Sequence, residues 1–271
     1  MTAWTPPGPA WLFCPADRPD RYAKAEALAD VVILDLEDAV AAADKDAARD
    51  ALAATPLDPE RTLVRINAGT ATDYAGGTAD LRALERTPYT RVMLPKAETA
   101  AEVLALRPYQ VVVLIESPRG ALAAAELAAA ENTIGVMWGP EDLIAGLGGS
   151  SARHADGRFR DVPRHVRSST LLAAKAFGRF ALDTVHLNIA DLEGLRLAAE
   201  DAVAQGFDGG VAIHPTQVPV IRAAFAPPEA QVDWARRVLA AAQVERGVFR
   251  FEGRMVDGPV LRHAEALLRR A

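Results

Sequence analysis

The segment that decides the fold reads DVVILDLEDAV and spans residues 30–40. Its apolar part, VVIL, shows no alternation of apolar and polar residues, which is typical of a parallel strand covered on both faces. Acidic residues follow at once, with Asp35, Glu37 and Asp38 in close succession. We therefore predict a buried strand that ends in a cluster of carboxylates.

Seven more short segments, rich in β-branched residues, resemble this one along the chain. With Val31–Leu36, the predicted strands are Trp11–Cys14, Thr62–Asn67, Arg91–Leu94, Val111–Glu116, Thr133–Trp138, Thr184–Leu187 and Val211–His214. Ala- and Leu-rich segments with helical spacing lie between them: Asp20–Ala29, Val40–Ala54, Ala97–Leu106, Arg119–Ala130, Arg164–Phe180 and Ile189–Gln205. This alternation indicates βαβ units. Eight units favour a closed (β/α)8 TIM barrel of class α/β, although an open doubly wound sheet also fits.

The length of 271 residues suits one barrel domain, for which ~250 residues is typical. The segment Gly139–Pro163 is long and rich in glycine and serine, so we expect a functional or mobile loop there. The tail after Pro227 exceeds the eight units. It is predicted to contain a helix at Glu229–Val244, a glycine-bounded stretch at Gly247–Gly258 and a last helix at Val260–Arg270. We interpret residues 1–271 as a single domain with residues 228–271 as a C-terminal extension.

Composition excludes several functional classes. The formal net charge is -6 and no block of like charge occurs, so neither nucleic acid nor a membrane surface is an expected partner. Cys14 is the only cysteine, which rules out an internal disulfide and makes a cysteine metal site implausible. The chain begins without a basic region followed by an apolar stretch, and no apolar run approaches ~18 residues. We expect a cytoplasmic protein.

Polar residues gather where the predicted strands end. In a barrel these ends meet at the C-terminal mouth, where active sites of this fold lie. The residues concerned are Asp17, Arg18, Glu37, Asp38, Arg65, Asn67, Lys96, Glu116, Glu141, Asp142 and His214. A run of charged residues at successive strand ends indicates a site, because an isolated buried charge is costly.

Glu116 and Asp142 follow neighbouring strands and offer two hard carboxylate oxygens. Without a nearby cysteine, this pair suits Mg²⁺ or Mn²⁺ better than zinc, and Mg²⁺ commonly takes one or two protein carboxylates. Asp142 also opens the helix-like run DLIAGL, so a role as helix N-cap competes with the metal role.

Arg65 lies inside an otherwise apolar strand, where an inward-pointing guanidinium needs an anionic partner. A substrate carboxylate or oxyanion would serve, and a pair with Glu37 or Asp38 is the alternative. Glu37 and Asp38 can orient metal-bound water or Arg65. Asp38 can equally cap a helix that starts near Val40.

Basic residues beyond two strand ends are candidates for phosphate contacts. Arg18, Arg21 and Lys24 follow the first strand, with Arg21 and Lys24 one helical turn apart, and Lys96 follows the fourth. Solvated surface charges are the competing interpretation. His214 precedes Pro215 and is interpreted as a structural histidine, and Cys14 as a small apolar residue.

These residues lie in motifs that resemble the citrate lyase β-subunit-like (CitE-like) enzymes of the HpcH/HpaI aldolase superfamily, in the branch of coenzyme A thioester lyases. The resemblance covers nearly the whole chain. Its motifs are LFCPADRPDRYAKA (12–25), DVVILDLEDAV (30–40), VRINA (64–68), VMLPKAE (92–98), LIESPRGA (114–121), MWGPEDL (137–143), AIHPTQ (212–217) and FEGRMVDGPV (251–260).

The resemblance implies a (β/α)8 barrel that binds Mg²⁺, or Mn²⁺, and a coenzyme A thioester. By motif, Glu116 and Asp142 are the implied metal ligands, and Arg65 with Glu116 the implied substrate contacts. Further implied roles fall to Glu37 and Asp38 behind the metal, and to Arg18, Arg21, Lys24 and Lys96 as coenzyme A or substrate contacts. Asp257 matches an aspartate that a C-terminal segment delivers to a neighbouring subunit's site, which implies a homotrimer or a multiple of trimers. From the residues alone, Asp257 is the N-cap of the final helix.

The implied reaction is cleavage of a carboxylate-bearing 3-hydroxyacyl-CoA, of the citramalyl, malyl or citryl type, into acetyl-CoA or a homologue and a 2-oxo acid. Three alternatives stay open. The chain can be a metal-dependent aldolase on free 2-oxo acids, the β subunit of a multi-subunit citrate lyase, or a non-catalytic acyl-CoA-binding protein.

Overall fold

The computed structural model describes residues 4–69, 75–245 and 247–271, with side chains omitted at 75–77. The chain forms two compact units, Met1–Ile221 and Arg222–Ala271. In the described part of the first unit, eight parallel strands close into a barrel in chain order, with the first strand paired to the eighth. The predicted (β/α)8 barrel is confirmed, and the open sheet is excluded.

The barrel strands are β1 (Ala10–Pro15), β2 (Val31–Asp35), β3 (Thr62–Arg65), β4 (Arg91–Leu94), β5 (Gln110–Ile115), β6 (Thr133–Trp138), β7 (Phe180–Asp183) and β8 (Gly209–Ala212). The helices are α1 (Tyr22–Leu28), α2 (Lys45–Ala54), α3 (Ala75–Leu84), α4 (Ala100–Ala105), α5 (Pro118–Leu122), α6 (Ala124–Ala129), α7 (Pro140–Gly146), α8 (Asp161–Ala176), α9 (Leu192–Gln205) and α10 (Val218–Phe225). Short 3-10 turns precede several of these helices. Most predicted elements differ from the observed ones by only a few residues at their ends.

The prediction for the seventh strand was wrong. The sequence pattern favoured Thr184–Leu187, but β7 occupies Phe180–Asp183. The ring of Phe180 lies against Gly135 of β6, the residue with which it is in register. A Cβ on Gly135 would come within 2.1 Å of that ring. This fit between a glycine and an aromatic ring sets the strand's position, and it is invisible in the apolar pattern of either segment.

The barrel interior is filled by large apolar side chains from successive strands. The buried cluster contains Trp11, Val31, Ile33, Leu63, Met93, Val112, Leu114, Met137, Leu182 and Val211. Side chains alternate between the two faces of a strand, so the next inward positions toward the C-terminal end carry Asp35, Arg65 and Glu116. The alternation of β2, β3 and β5 thus aims these polar groups into the mouth of the barrel.

The segment Gly139–Pro163, predicted to be a loop, contains the helix α7 and a further ordered turn. The guanidinium of Arg153 lies 3.7 Å from the centroid of the Phe159 ring. Phe159 in turn packs edge-on against Trp138 of β6, with 5.0 Å between ring centroids. The segment is therefore anchored to the barrel wall by aromatic contacts.

The second unit packs around its own small core. Helix α11 (Glu229–Ala241), an antiparallel hairpin of β9 (Phe249–Phe251) and β10 (Arg254–Val256), and helix α12 (Gly258–Arg270) form it. Its buried residues are Ala235, Val238, Val256, Ala264 and Leu267. Both predicted helices are confirmed, and the glycine-bounded stretch between them forms the hairpin. The predicted N-cap is also present, since the Asp257 side chain accepts a hydrogen bond from the Val260 amide at 3.3 Å.

None of the helices in the described part of the chain has the length and hydropathy that crossing a bilayer requires.

Candidate active site

A bidentate ion pair joins the last residues of β2 and β3. Asp35 and Arg65 are opposite each other in the strand register. Arg65 Nε donates to Asp35 Oδ1 at 2.7 Å, and Nη2 donates to Oδ2 at 2.6 Å. The Asp35 carboxylate is 1% exposed and also accepts the backbone N–H groups of Glu37 and Ala39. This fully bonded carboxylate fixes the direction of the guanidinium.

The sequence assigns no role to Asp35, although it predicts an anionic partner for Arg65. Of the two alternatives it named, Glu37 is close, with Oε2 at 2.8 Å from Arg65 Nη1, whereas Asp38 pairs with Lys96 instead. The signal that would have found Asp35 is its position. Asp35 and Arg65 each end a strand, and neighbouring parallel strands bring such residues side by side.

Glu37 is buried between two cations. Its Oε1 accepts a hydrogen bond from Lys96 Nζ at 2.5 Å. Its Oε2 is near Arg65 but not aligned for a hydrogen bond, so this buried oxygen keeps an unused acceptor. Burial raises the pKa of Glu37 above its ordinary value, against the opposing effect of Arg65 and Lys96.

The ammonium group of Lys96 lies among four carboxylates. Besides Glu37, Nζ is 3.4 Å from Asp38, 3.6 Å from Asp142 and 4.0 Å from Glu116. Burial lowers the pKa of Lys96, but the hydrogen bond to Glu37 and the charges of the other carboxylates outweigh it, so the pKa lies above its ordinary value. Lys96 is therefore a charged cation in the middle of the mouth. From the sequence, Lys96 is predicted only as a substrate or coenzyme A contact.

Glu116 follows β5 and is 4% exposed. Its Oε1 accepts the backbone N–H of Lys96 at 3.0 Å. Burial raises the pKa of Glu116 to about 8, although Lys96 opposes this rise. Gly139 at the end of β6 makes room for the carboxylate, because a Cβ there would lie 2.7 Å from Glu116 Oε2.

Asp142 lies in the first turn of α7 and is 40% exposed. The N-cap of α7 is Gly139, and no side chain caps this helix. The alternative N-cap role for Asp142 is therefore wrong, and its carboxylate remains free to face the mouth near Lys96. The helix-cap alternative for Asp38 is wrong as well. The turn that follows it begins after Ala41 and has no side-chain cap.

These groups fit the predicted divalent metal. Glu116 and Asp142 present hard oxygen donors, and the Lys96 ammonium lies within 4.0 Å of both. The missing side chain of Gly139 leaves space beside Glu116. Across residues 4–69, 75–245 and 247–271, no three histidine, cysteine or carboxylate side chains are arranged to enclose a metal on their own. The donor set therefore matches Mg²⁺, which keeps positions for water and substrate, and not a closed protein cage.

The family follows from comparison with known proteins. The family model described as HpcH/HpaI aldolase/citrate lyase matches residues 10–215, which include every barrel strand. The chain belongs to the HpcH/HpaI aldolase/citrate lyase family. Membership of this family confirms the predicted enzyme class, a carbon–carbon lyase.

Relatives within the family differ in named activity. The citrate lyase subunit beta-like protein of Mycobacterium tuberculosis is 66% identical over 264 residues, which cover 97% of this chain and 96% of that protein. A (3S)-malyl-CoA thioesterase of Cereibacter sphaeroides is 35% identical, with 91% and 88% covered. The crystal structure of CitE from M. tuberculosis in complex with magnesium, acetoacetate and coenzyme A superposes with a TM-score of 0.91 at 65% identity. It covers 97% of this chain and 98% of that one.

A second polar network supports the site of this HpcH/HpaI family member from behind. Lys45 Nζ donates to the backbone carbonyls of Leu36 and Glu37 at 2.7 and 2.9 Å, and to Asn67 Oδ1 at 2.6 Å. Asn67 donates in turn to the buried Asp80. Lys45 thus holds the peptide that carries Glu37. Two of the three partners of Lys45 are backbone carbonyls, which leave no pattern in the sequence, so this role of Lys45 cannot be found from the sequence.

The basic residues after β1 stand at the surface. Arg18 pairs with Asp20 at 2.9 Å, and Arg21 and Lys24 are exposed at the start of α1. Their role as coenzyme A contacts stays a prediction.

Two other interpretations are supported by the local structure. His214 caps the 3-10 turn Pro215–Gln217, where its side chain accepts the Thr216 amide. Cys14 is buried, and burial raises the pKa of its thiol to about 11, so it is not a reactive thiolate.

Proposed function

We propose that this protein is a Mg²⁺-dependent lyase of coenzyme A thioesters. Its substrate would be a 3-hydroxyacyl-CoA that carries a carboxylate, of the citramalyl, malyl or citryl type. The products would be acetyl-CoA, or a homologue, and a 2-oxo acid. The observation that carries the proposal is the meeting of Arg65, Lys96, Glu116 and Asp142 at the mouth of a barrel of this family.

Arg65 would bind the substrate's carboxylate. Asp35 uses Nε and one N–H of Nη2, which leaves other N–H groups of the guanidinium for a ligand. Because Asp35 and Phe13 hold the group in place, little side-chain entropy is lost when the ligand binds. Cleavage leaves the 2-oxo acid with its carboxylate and a new carbonyl oxygen, and Arg65 would stabilise charge on that fragment.

Glu116 and Asp142 would hold the metal. When bound, Mg²⁺ would supply Lewis acidity toward the substrate's carboxylate and hydroxyl oxygens, which lowers the pKa of the hydroxyl. Lys96 and Glu37 would keep the two ligands and the surrounding water oriented.

Asp257 would be the base that removes the hydroxyl proton. The electrons of the O–H bond then form the carbonyl of the 2-oxo acid, the carbon–carbon bond breaks, and its electrons pass to the thioester enolate. Protonation of the enolate carbon completes acetyl-CoA. We propose that Asp257 serves the site of a neighbouring subunit, in a homotrimer or a multiple of trimers. The similarity to family motifs around residues 251–260 supports this assignment.

Arg18, Arg21 and Lys24 would contact the phosphates of coenzyme A at the rim. Arg21 and Lys24 are exposed at the start of α1 and Arg18 is partly exposed, so a phosphate group has access to these side chains from solvent, which supports this role. Replacement of Arg21 and Lys24 by glutamate should raise KM for the thioester and leave kcat nearly unchanged.

The test is turnover of a panel of 3-hydroxydicarboxyl-CoA thioesters with Mg²⁺ and with a chelator. Release of 2-oxo acid and of acetyl-CoA is followed separately. We expect metal-dependent cleavage of at least one member, and loss of at least about a hundredfold in kcat/KM in Asp142→Ala. The proposal is wrong if no member is cleaved while free 4-hydroxy-2-oxo acids are turned over, which would identify an aldolase.

Hydrolysis of the thioester is a second candidate, since one relative is a malyl-CoA thioesterase. A thiol reagent separates the two reactions. Lyase activity releases 2-oxo acid with the thioester intact, whereas hydrolysis releases free coenzyme A thiol and no 2-oxo acid. If neither activity is detected, two alternatives remain. The chain is then either the β subunit of a citrate lyase, which would act on a carrier-protein thioester, or a non-catalytic acyl-CoA-binding protein.

A further inference from the structure

Lys96 has an unusual environment for a lysine in a predicted metal site. Its ammonium group is 2.5 Å from Glu37 and within 4.0 Å of Glu116 and Asp142, the two carboxylates that would hold the metal. A cation is therefore already present among the oxygens that a metal would use. We infer that Lys96 is a built-in counter-ion that keeps the carboxylates assembled without metal and competes with the metal when it binds. This inference rests on the proposed function, because it concerns the metal site proposed there.

The backbone explains why Lys96 is held in this position. Its φ angle is +51°, in the left-handed region that non-glycine residues rarely occupy. Its amide N–H donates to Glu116 Oε1 at 3.0 Å. The same residue thus contacts Glu116 through its backbone and Glu37 through its side chain. A conformation of this kind persists only where the surroundings determine it.

The Lys96 side chain also has room to move away from the proposed metal ligands. It is 33% exposed, and its outermost partner, Asp38, is 63% exposed. The ammonium can therefore move toward solvent and Asp38 while the backbone contact with Glu116 remains. By contrast, Arg65 is 11% exposed and bound bidentately to Asp35, so it does not have this freedom.

The strength of the competition follows from the distances. A cation that bound Glu116 and Asp142 at about 2.1 Å would lie within about 6 Å of the ammonium, since Nζ is 3.6 Å from the Asp142 oxygen. For a divalent and a monovalent charge at that separation, Coulomb's law corresponds to a factor of about ten in affinity even at the dielectric constant of water. Removal of the lysine charge should therefore tighten metal binding about tenfold or more.

The experiment measures Mn²⁺ binding without oxygen at pH 9, above the pKa of Glu116, by electron paramagnetic resonance, on the full chain without substrate. Lys96→Met and Lys96→Gln remove the charge, and Lys96→Arg keeps it. Lys175→Met is the matched control, because Lys175 pairs with Asp208, which precedes β8 at the opposite end of the barrel. We expect Mn²⁺ to bind the two neutral variants at least about tenfold more tightly than the wild type, with the other two unchanged.

Thermal unfolding supplies a second measurement. Without metal, Lys96→Met leaves the carboxylates uncompensated, so its Tm should fall below that of the wild type. Saturating Mn²⁺ should then raise its Tm by more than it raises that of the wild type. If Lys96→Met does not fold without metal, Lys96→Gln, which keeps a hydrogen-bond donor for Glu37, gives the same comparison.

The outcomes separate the inference from the proposed function. Equal or weaker Mn²⁺ binding by both neutral variants overturns the inference, while metal binding by the wild type keeps the proposed site intact. Tighter binding by the variants, with no thioester cleaved by the wild type, supports the inference and refutes the proposed lyase. Failure of every form to bind Mn²⁺ refutes both.

Discussion

Replacement of Asp35 by asparagine tests whether this carboxylate holds Arg65 in place. The pair is nearly solvent-free, with side-chain exposures of 11% for Arg65 and 1% for Asp35. Removal of one partner from a buried ion pair typically costs about 3–5 kcal/mol in the free energy of unfolding. Glu37 remains 2.8 Å from Arg65 and compensates in part, so we expect about 3 kcal/mol. For a unit of this size that loss corresponds to a fall in Tm of roughly 6–12 °C.

The assay is urea unfolding followed by circular dichroism, beside thioester turnover. The matched control is Asp50→Asn. It breaks an exposed ion pair in which Asp50 lies 2.9 Å from Arg86. Exposed pairs contribute about 1 kcal/mol or less, so the control should unfold almost like the wild type. We also expect kcat/KM of Asp35→Asn to fall about a hundredfold, because Arg65 loses its fixed direction. The reasoning is refuted if Asp35→Asn loses no more stability than Asp50→Asn.

Four further predictions concern the site and the tail. Gly139→Ala should displace Glu116, because Glu116 Oε2 would be 2.7 Å from the new Cβ. Calorimetry should then show Mg²⁺ binding weakened at least about tenfold. The control is Gly210→Ala, whose new Cβ would be 3.5 Å from its nearest neighbour and which should leave Mg²⁺ binding unchanged. The pKa of Glu116 is about 8, and a metal binds the ionised carboxylate. The metal affinity should therefore rise as pH increases from 6 to 8 and level off above pH 8. A metal affinity that does not change with pH contradicts this prediction. The raised pKa of Glu116 also means that the metal-free fold should lose stability as pH rises from about 4.5 to 8, which Glu116→Gln should abolish. Asp257→Ala should lower the free energy of unfolding by about 1 kcal/mol, because α12 loses its N-cap. Asp257→Ser, which can still cap the helix, should restore this stability but not turnover. If turnover also recovers in Asp257→Ser, the role of Asp257 is that of a helix cap alone.

The sequence by itself determined the fold class and the region of the site. Short, β-branched apolar runs without alternation favour strands covered on both faces, and their regular exchange with helical segments favours a parallel sheet. Once that is granted, polar residues at strand ends must meet at one mouth, because parallel strands all end on the same side. The sequence therefore predicts that Arg65, Glu116 and Asp142 lie near one another, as they do in the structure.

Only the tertiary structure decided how these side chains pair. The sequence cannot show that Asp35 faces Arg65, because this depends on the register of β2 and β3. It cannot show that Lys96 reaches Glu37, a residue 59 positions away. The position of β7 likewise depends on the fit of the Phe180 ring against Gly135. Local patterns specify which elements form, because propensity and periodicity act over a few residues. Contacts between distant segments are set by packing, and packing exists only in the folded chain.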